Sequence, residues 1–152
     1  MAKLTNNERS PYSDVIRLTA ADLIAIGTGG TRQIATIPAG GAVSLCAVIN
    51  TVDIVGSSSL VIDVGTTIAD PDEFINALDV DQMTVGLPTF NTGDVFVQAA
   101  GTTTIAGGVL PVGAASASTP VYIKVTDAAI ASMTAGEILI GLEILDLTQY
   151  RI

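Results

Sequence analysis

Apolar and polar residues alternate along this chain, and glycine and proline break the alternation at short intervals. That pattern restricts the chain to β architecture. Successive side chains of a strand point to opposite faces, so a period of two marks a strand with one buried side. The clearest cases close the sequence. In Val121–Thr126 the apolar positions are Val121, Ile123 and Val125, with Tyr122, Lys124 and Thr126 between them. In Glu137–Asp146, Ile138, Ile140, Leu142 and Ile144 share one side, and Glu137, Leu139, Gly141, Glu143 and Leu145 share the other. Two leucines beside two glutamates on that second side point to a face that meets another chain or the leading segment.

Upstream, the same period places Ile16 and Leu18 opposite Arg17, and Leu60, Ile62 and Val64 opposite Val61 and Asp63. Leu23–Ile26 continues the apolar series, and Thr31–Ile37 follows with Ile34 and Ile37. Ala42–Val55 puts Val43, Leu45, Ala47 and Ile49 on one face. Ser44, Cys46, Val48 and Asn50 form its other face, which reads as a partly covered second side. Further strands are expected near Val95–Val97 and Thr102–Ile105, with Pro111–Pro120 as a Gly/Ala/Ser connection. One helix is expected, near residues 71–78. Asp70 would cap it, Pro71 suits its first turn, and Asp72 and Glu73 favour the positive end of the dipole. Residues 1–13 are polar and aperiodic and read as an N-terminal arm, leaving 14–152 as the folded domain.

About eight strands at roughly 10–15-residue spacing are the mark of a two-sheet sandwich. The expected fold is therefore all-β: a single β-sandwich, jelly-roll-like, because that form suits longer crossing connections.

Composition narrows the chemistry. The 152 residues include no histidine and no tryptophan, one cysteine, three Phe and three Tyr. Histidine is the usual general acid/base near neutral pH and the commonest metal ligand, so Ser-His-Asp, Cys-His and His-based zinc sites are closed to this chain. Paired carboxylates for glycoside hydrolysis remain conceivable, but the lack of aromatic lining counts against a carbohydrate site. Fifteen acids against six bases give a net charge of −9, which disfavours nucleic acid as a partner. The charge is also segregated. Lys3, Arg9, Arg17 and Arg32 lead the chain, and no base follows until Lys124.

Three local signals have structural explanations. Gly27–Arg32 lacks both the P-loop ending and the dinucleotide spacing, so it reads as a hairpin turn. The acids Asp70, Asp72, Glu73, Asp79 and Asp81 invite a calcium reading, yet Phe74 and Ile75 fall where an EF-hand loop needs a ligand and a glycine. Helix capping and a solvated loop account for them without a metal. Cys46 lies in an apolar run and reads as a small buried hydrophobe. No cofactor is expected. Met1–Arg9 lacks the apolar stretch of a secretion signal, and neither uncharged window, 33–52 or 95–123, is continuous enough to span a membrane.

Several of these segments together resemble a known family. They are the polar arm, the turn Ile37–Gly40 after a Thr/Ile strand, and the long apolar strand Val43–Ile49. Leu60–Gly65 followed by the acidic Asp70–Ile75, and the closing Val/Ile/Tyr strand pair, complete the set. The chain resembles the head decoration, or cement, proteins of tailed bacteriophages. That resemblance implies a non-enzymatic virion protein on the capsid surface, assembled in the host cytoplasm. Such a protein bridges subunits of the major capsid protein and associates with itself, with a trimer the expected form. Interface residues on this reading are Lys3, Leu4, Arg9, Tyr12, Leu139 and Leu145. A phage fibre or receptor-binding module, or another structural protein of a virion or bacterial shell, remains an alternative.

Overall fold

The computed structural model describes residues 2–4, 14–90, 92–93, 110–111 and 117–146. Ten strands are found among them: β1 (Ala2–Leu4), β2 (Asp14–Thr19), β3 (Gly30–Ile37), β4 (Gly41–Val55), β5 (Val61–Gly65), β6 (Ile75–Asp79), β7 (Pro88–Phe90), β8 (Leu110–Pro111), β9 (Thr119–Thr126) and β10 (Ala135–Asp146). They form two sheets. The larger runs β1-β2-β10-β4, with β7 and β8 both pairing with β4, and the smaller runs β3-β9-β5-β6. Every pairing is antiparallel.

Setting aside the short β1 and β8, the remaining eight strands wind as a jelly roll. The first pairs with the last (β2 with β10), the second with the next to last (β3 with β9), then β4 with β7 and β5 with β6. A long two-stranded ribbon rolled into two facing sheets has this order. The sequence expectation of a jelly-roll sandwich holds.

The core lies between the sheets. Ile138, Ile140 and Leu142 on β10 are fully buried, as are Ile62 and Val64 on β5 and Val121, Ile123 and Val125 on β9. These are the inward positions that the alternation assigns. β4 departs from its assignment. Glu143 pairs with Leu45 and Ile144 with Val43, so Ser44 is an extra residue, a β-bulge. A bulge shifts the period by one. Val43 faces the core, but beyond the bulge Cys46, Val48 and Asn50 do so, all fully buried. The supposed second side of this strand is its core side from Cys46 onward. Asn50 Nδ2 donates to the Val80 carbonyl at 3.4 Å, and burial pushes the Cys46 thiol pKa up.

The helix is also elsewhere. Residues 71–78 are not helical; they form an irregular loop running into β6. Phe74 N–H donates to Val64 O at 2.8 Å, and the Ala77 N–H donates to the Asp63 carboxylate at 2.6 Å. Amide groups directed across to β5 are not available to an i−4 carbonyl. Phe74 and Ile75, adjacent in sequence, are both fully buried. The helix is instead α1 (Ala20–Ile26), where a strand was expected. A capping box starts it: Asp22 N–H donates to Thr19 Oγ1 at 3.4 Å, and the Asp22 carboxylate accepts from Thr19 N–H at 3.1 Å. Gly27 ends it at φ +78, a conformation that suits glycine. The Gly27–Gly30 turn thus joins a helix to a strand, not two strands of a hairpin. α1 carries the chain from one sheet to the other and buries Leu23.

Candidate functional site

The outward face of the larger sheet is the feature that the sandwich itself does not use. Residues directly opposite one another in a sheet share a face, so the register defines rows across it. One row runs Arg17, Leu139, Ile49, Pro88; the next runs Val15, Gly141, Ala47, Phe90. Leu45 lies beyond them, opposite Glu143. Ala47 and Gly141 are buried by their neighbours, Val15, Leu45, Ile49, Leu139 and Pro88 are half-buried, and Phe90 is 46% exposed. The apolar surface extends around the end of β4. Gly86 N–H donates to Asn50 O at 2.8 Å and Leu87 N–H to Thr84 O at 3.0 Å. This turn presents Val85 and Leu87 beside Val52, all exposed.

Arg17 on this face is paired. Arg17 donates from Nε and Nη2 to Glu137 Oε2, and Thr51 Oγ1 donates to Glu137 Oε1 at 2.8 Å. The Arg17 hydrogen bond, then that of Thr51, holds the Glu137 carboxyl below its usual pKa, and Glu137 raises that of Arg17. Three adjacent strands are tied by one carboxylate.

Several other acids hold loops. In the Ser57-Ser58-Ser59 turn each hydroxyl has its own carboxylate: Ser57 to Asp81 at 2.5 Å, Ser58 to Asp127 at 2.5 Å and Ser59 to Asp79 at 3.0 Å. Asp127 also accepts from the N–H groups of Ser58 and Ala129. Burial pushes its pKa up, but these hydrogen bonds outweigh burial and hold it below the usual value. Glu73 accepts from Thr66 N–H at 2.8 Å and Thr67 Oγ1 at 2.5 Å. Asp70 pairs with Lys124 at 3.0 Å. Of the acids read for calcium, Asp70, Glu73, Asp79 and Asp81 brace loops, Asp79 also caps the 3-10 turn Val80–Gln82 by accepting from Asp81 N–H at 3.0 Å, and no group of three metal-binding side chains gathers among the described residues. A groove of about 400 Å³ beside β3 is lined by Asp14, Gln33, Ile34, Ala35 and Thr36, with the Gln33 amide donating to Ala35 O and Thr36 Oγ1. No helix among the described residues is long and apolar enough to cross a membrane.

Of the expected interface residues, Leu139 stands in the middle of the apolar face. Lys3 and Leu4 belong to β1, opposite Ile16 and Val15, so the leading arm begins with an edge strand on this sheet. Leu145 takes a backbone place opposite Ala42. Arg9 and Tyr12 lie outside the described residues, as do the strands expected at 95–97 and 102–105. Val15, Leu45, Ile49 and Phe90 were missed. The period-two pattern of β4 contains the signal for Leu45 and Ile49, but the bulge at Ser44 reverses its meaning. The chain matches no model of a known protein family, and no curated protein or solved structure compared with it matches either.

Proposed function

We propose that this chain is a structural protein of a tailed-bacteriophage particle, a capsid decoration protein without enzymatic activity or cofactor. It sits on the virion surface, bridges major capsid protein subunits and associates with itself as a trimer. The outward apolar face of the larger sheet carries the reading. A sheet face of leucine, isoleucine, alanine and phenylalanine, with the arginine on its β2 side paired to Glu137, is suited to docking against protein. The acidic side chains support it further, since hydrogen bonds to loop backbone and hydroxyl groups engage them in holding the sandwich rigid. Weak contacts repeated over a symmetric shell add up to high avidity.

Mass-spectrometric copy number in purified particles tests the proposal. A decoration protein is present at a near-stoichiometric ratio to the major capsid protein, and Leu139→Glu lowers its occupancy. A few copies per particle would instead favour the fibre-head reading, for which the polar groove beside β3 is the candidate binding patch. Absence from particles would reject both.

A further inference from the structure

The N-terminal strand is joined to the sheet by a connection longer than its pairing needs. β1 and β2 are antiparallel neighbours, with Ala2 opposite Arg17, Lys3 opposite Ile16 and Leu4 opposite Val15. Two such strands close with a loop of about two to five residues. Here nine residues, Thr5 to Ser13, lie between the strands. At full extension that length reaches roughly 30 Å, about the width of a small domain. β1 is also short, at three residues, and among the described residues it is the outermost strand of the larger sheet, paired with β2.

We propose that this strand is exchanged between copies, so that Ala2–Leu4 of one chain pairs with β2 of a second copy. The backbone pairing is the same within a chain and between chains, so exchange sacrifices none of it, and identical elements swap at low cost. The balance is then set by concentration. Copies held side by side in an assembly raise the effective concentration of the neighbouring strand, and the nine-residue connection supplies the reach. In either arrangement a β1 strand covers the β2 edge and shields it from unregulated strand pairing. It also places the basic leading segment of one copy against the acidic body of the next. The inference rests on the self-association proposed above but not on a capsid partner.

Site-specific cross-linking between two differently tagged full-length chains tests it. One chain carries Leu4→Cys and the other Val15→Cys; neither can form this link alone. Cys46, fully buried, stays silent in the native protein. With a short bismaleimide, exchange yields a hetero-tagged dimer on a denaturing gel. Its yield rises with protein concentration and exceeds by at least about fivefold that of Leu4→Cys mixed with Thr31→Cys on the other sheet. A chain carrying both Leu4→Cys and Val15→Cys checks that the pair is within reach, giving internal links when dilute and intermolecular ones when concentrated. Internal links at every concentration, with hetero-dimer no higher than the Thr31 control, overturn the exchange. If sedimentation still shows an oligomer in that case, self-association survives and only the exchange fails; a monomer rejects both.

Discussion

The two sheets share one core but treat their outer faces in opposite ways. On the smaller sheet, the row Thr31, Lys124, Asp63 and the row Gln33, Tyr122, Gly65 cross from β3 through β9 to β5. Lys124 there binds Asp70, and Asp63 holds the β6 backbone at Ala77, whose φ of +47 is unusual for a residue with a side chain. This face is polar and braced by its own loops. On the larger sheet the equivalent rows carry Leu139, Ile49, Val15, Ala47 and Phe90. Antiparallel sheets commonly keep one face in water, and that face is then polar. The smaller sheet follows this rule and the larger one breaks it. The difference is the reason the proposed docking surface is assigned to the larger sheet, and it sets residues that brace the domain apart from residues left on an apolar outer face.

The largest effect should come from the layer both sheets share. Phe74, fully buried where the loop enters β6, should cost about 3–5 kcal/mol on replacement by alanine. Ile140→Ala on the larger sheet should fall in the ~2–5 kcal/mol range. Urea unfolding should show one cooperative transition in both variants. If either mutation split the transition, the sheets would not form a single unit.

Next is the carboxylate that holds the loops. Asp127→Ala leaves the Ser58 and Ala129 N–H groups without their acceptor, and about 1–3 kcal/mol should be lost. Glu137→Gln on the larger sheet keeps the shape of the side chain and removes a partly exposed ion pair, which should cost no more than about 1 kcal/mol. Equal losses would erase the distinction between bracing and docking faces.

Acid should act through the same two groups. Asp127 and Glu137 have folded-state pKa values below their ordinary ones. The folded state therefore binds fewer protons than the unfolded one as the pH falls through the carboxylate range. The stability they contribute is complete above the unfolded pKa values, about 4, and is lost as pH drops through the folded ones. Melting temperature should be flat from pH 7 to about pH 5 and decline below about pH 4, and Asp127→Asn should make that decline shallower. An unchanged slope would show that other carboxylates dominate it.

The smallest effect on stability should be the most telling for the outer faces. Leu139→Glu on the larger sheet and Thr31→Glu on the smaller should each shift unfolding by no more than about 1 kcal/mol. Only Leu139→Glu should weaken self-association, measured by sedimentation. Equal association in both variants would refute the docking face.

The legibility of the chain follows from how local each feature is. β5, β9 and β10 were readable because their apolar residues recur at period two, and every inward residue of Leu60–Val64, Val121–Val125 and Ile138–Leu142 is buried. The acidic segment at 70–78 misled because Asp, Pro and Glu suit both a helix start and a tight loop. Its hydrogen bonds to β5 come from a strand that local pattern does not identify as a partner. α1 carried a readable signal, Thr19 with Asp22 three residues on and Gly27 at the end, which the short apolar run Leu23–Ile26 masked.

By itself the sequence determined that this is a β protein, which residues of its regular strands turn inward, and that histidine chemistry is closed to it. Those properties depend on residue type and on a period of two, both local. The tertiary structure alone decided which strands pair within the expected jelly roll, the side of β4 that enters the core, and how far the apolar outer face extends beyond Leu139. Each depends on which strands lie side by side. Leu142 meets Cys46 across nearly a hundred residues of chain, and the bulge at Ser44 exists only in relation to its partner strand.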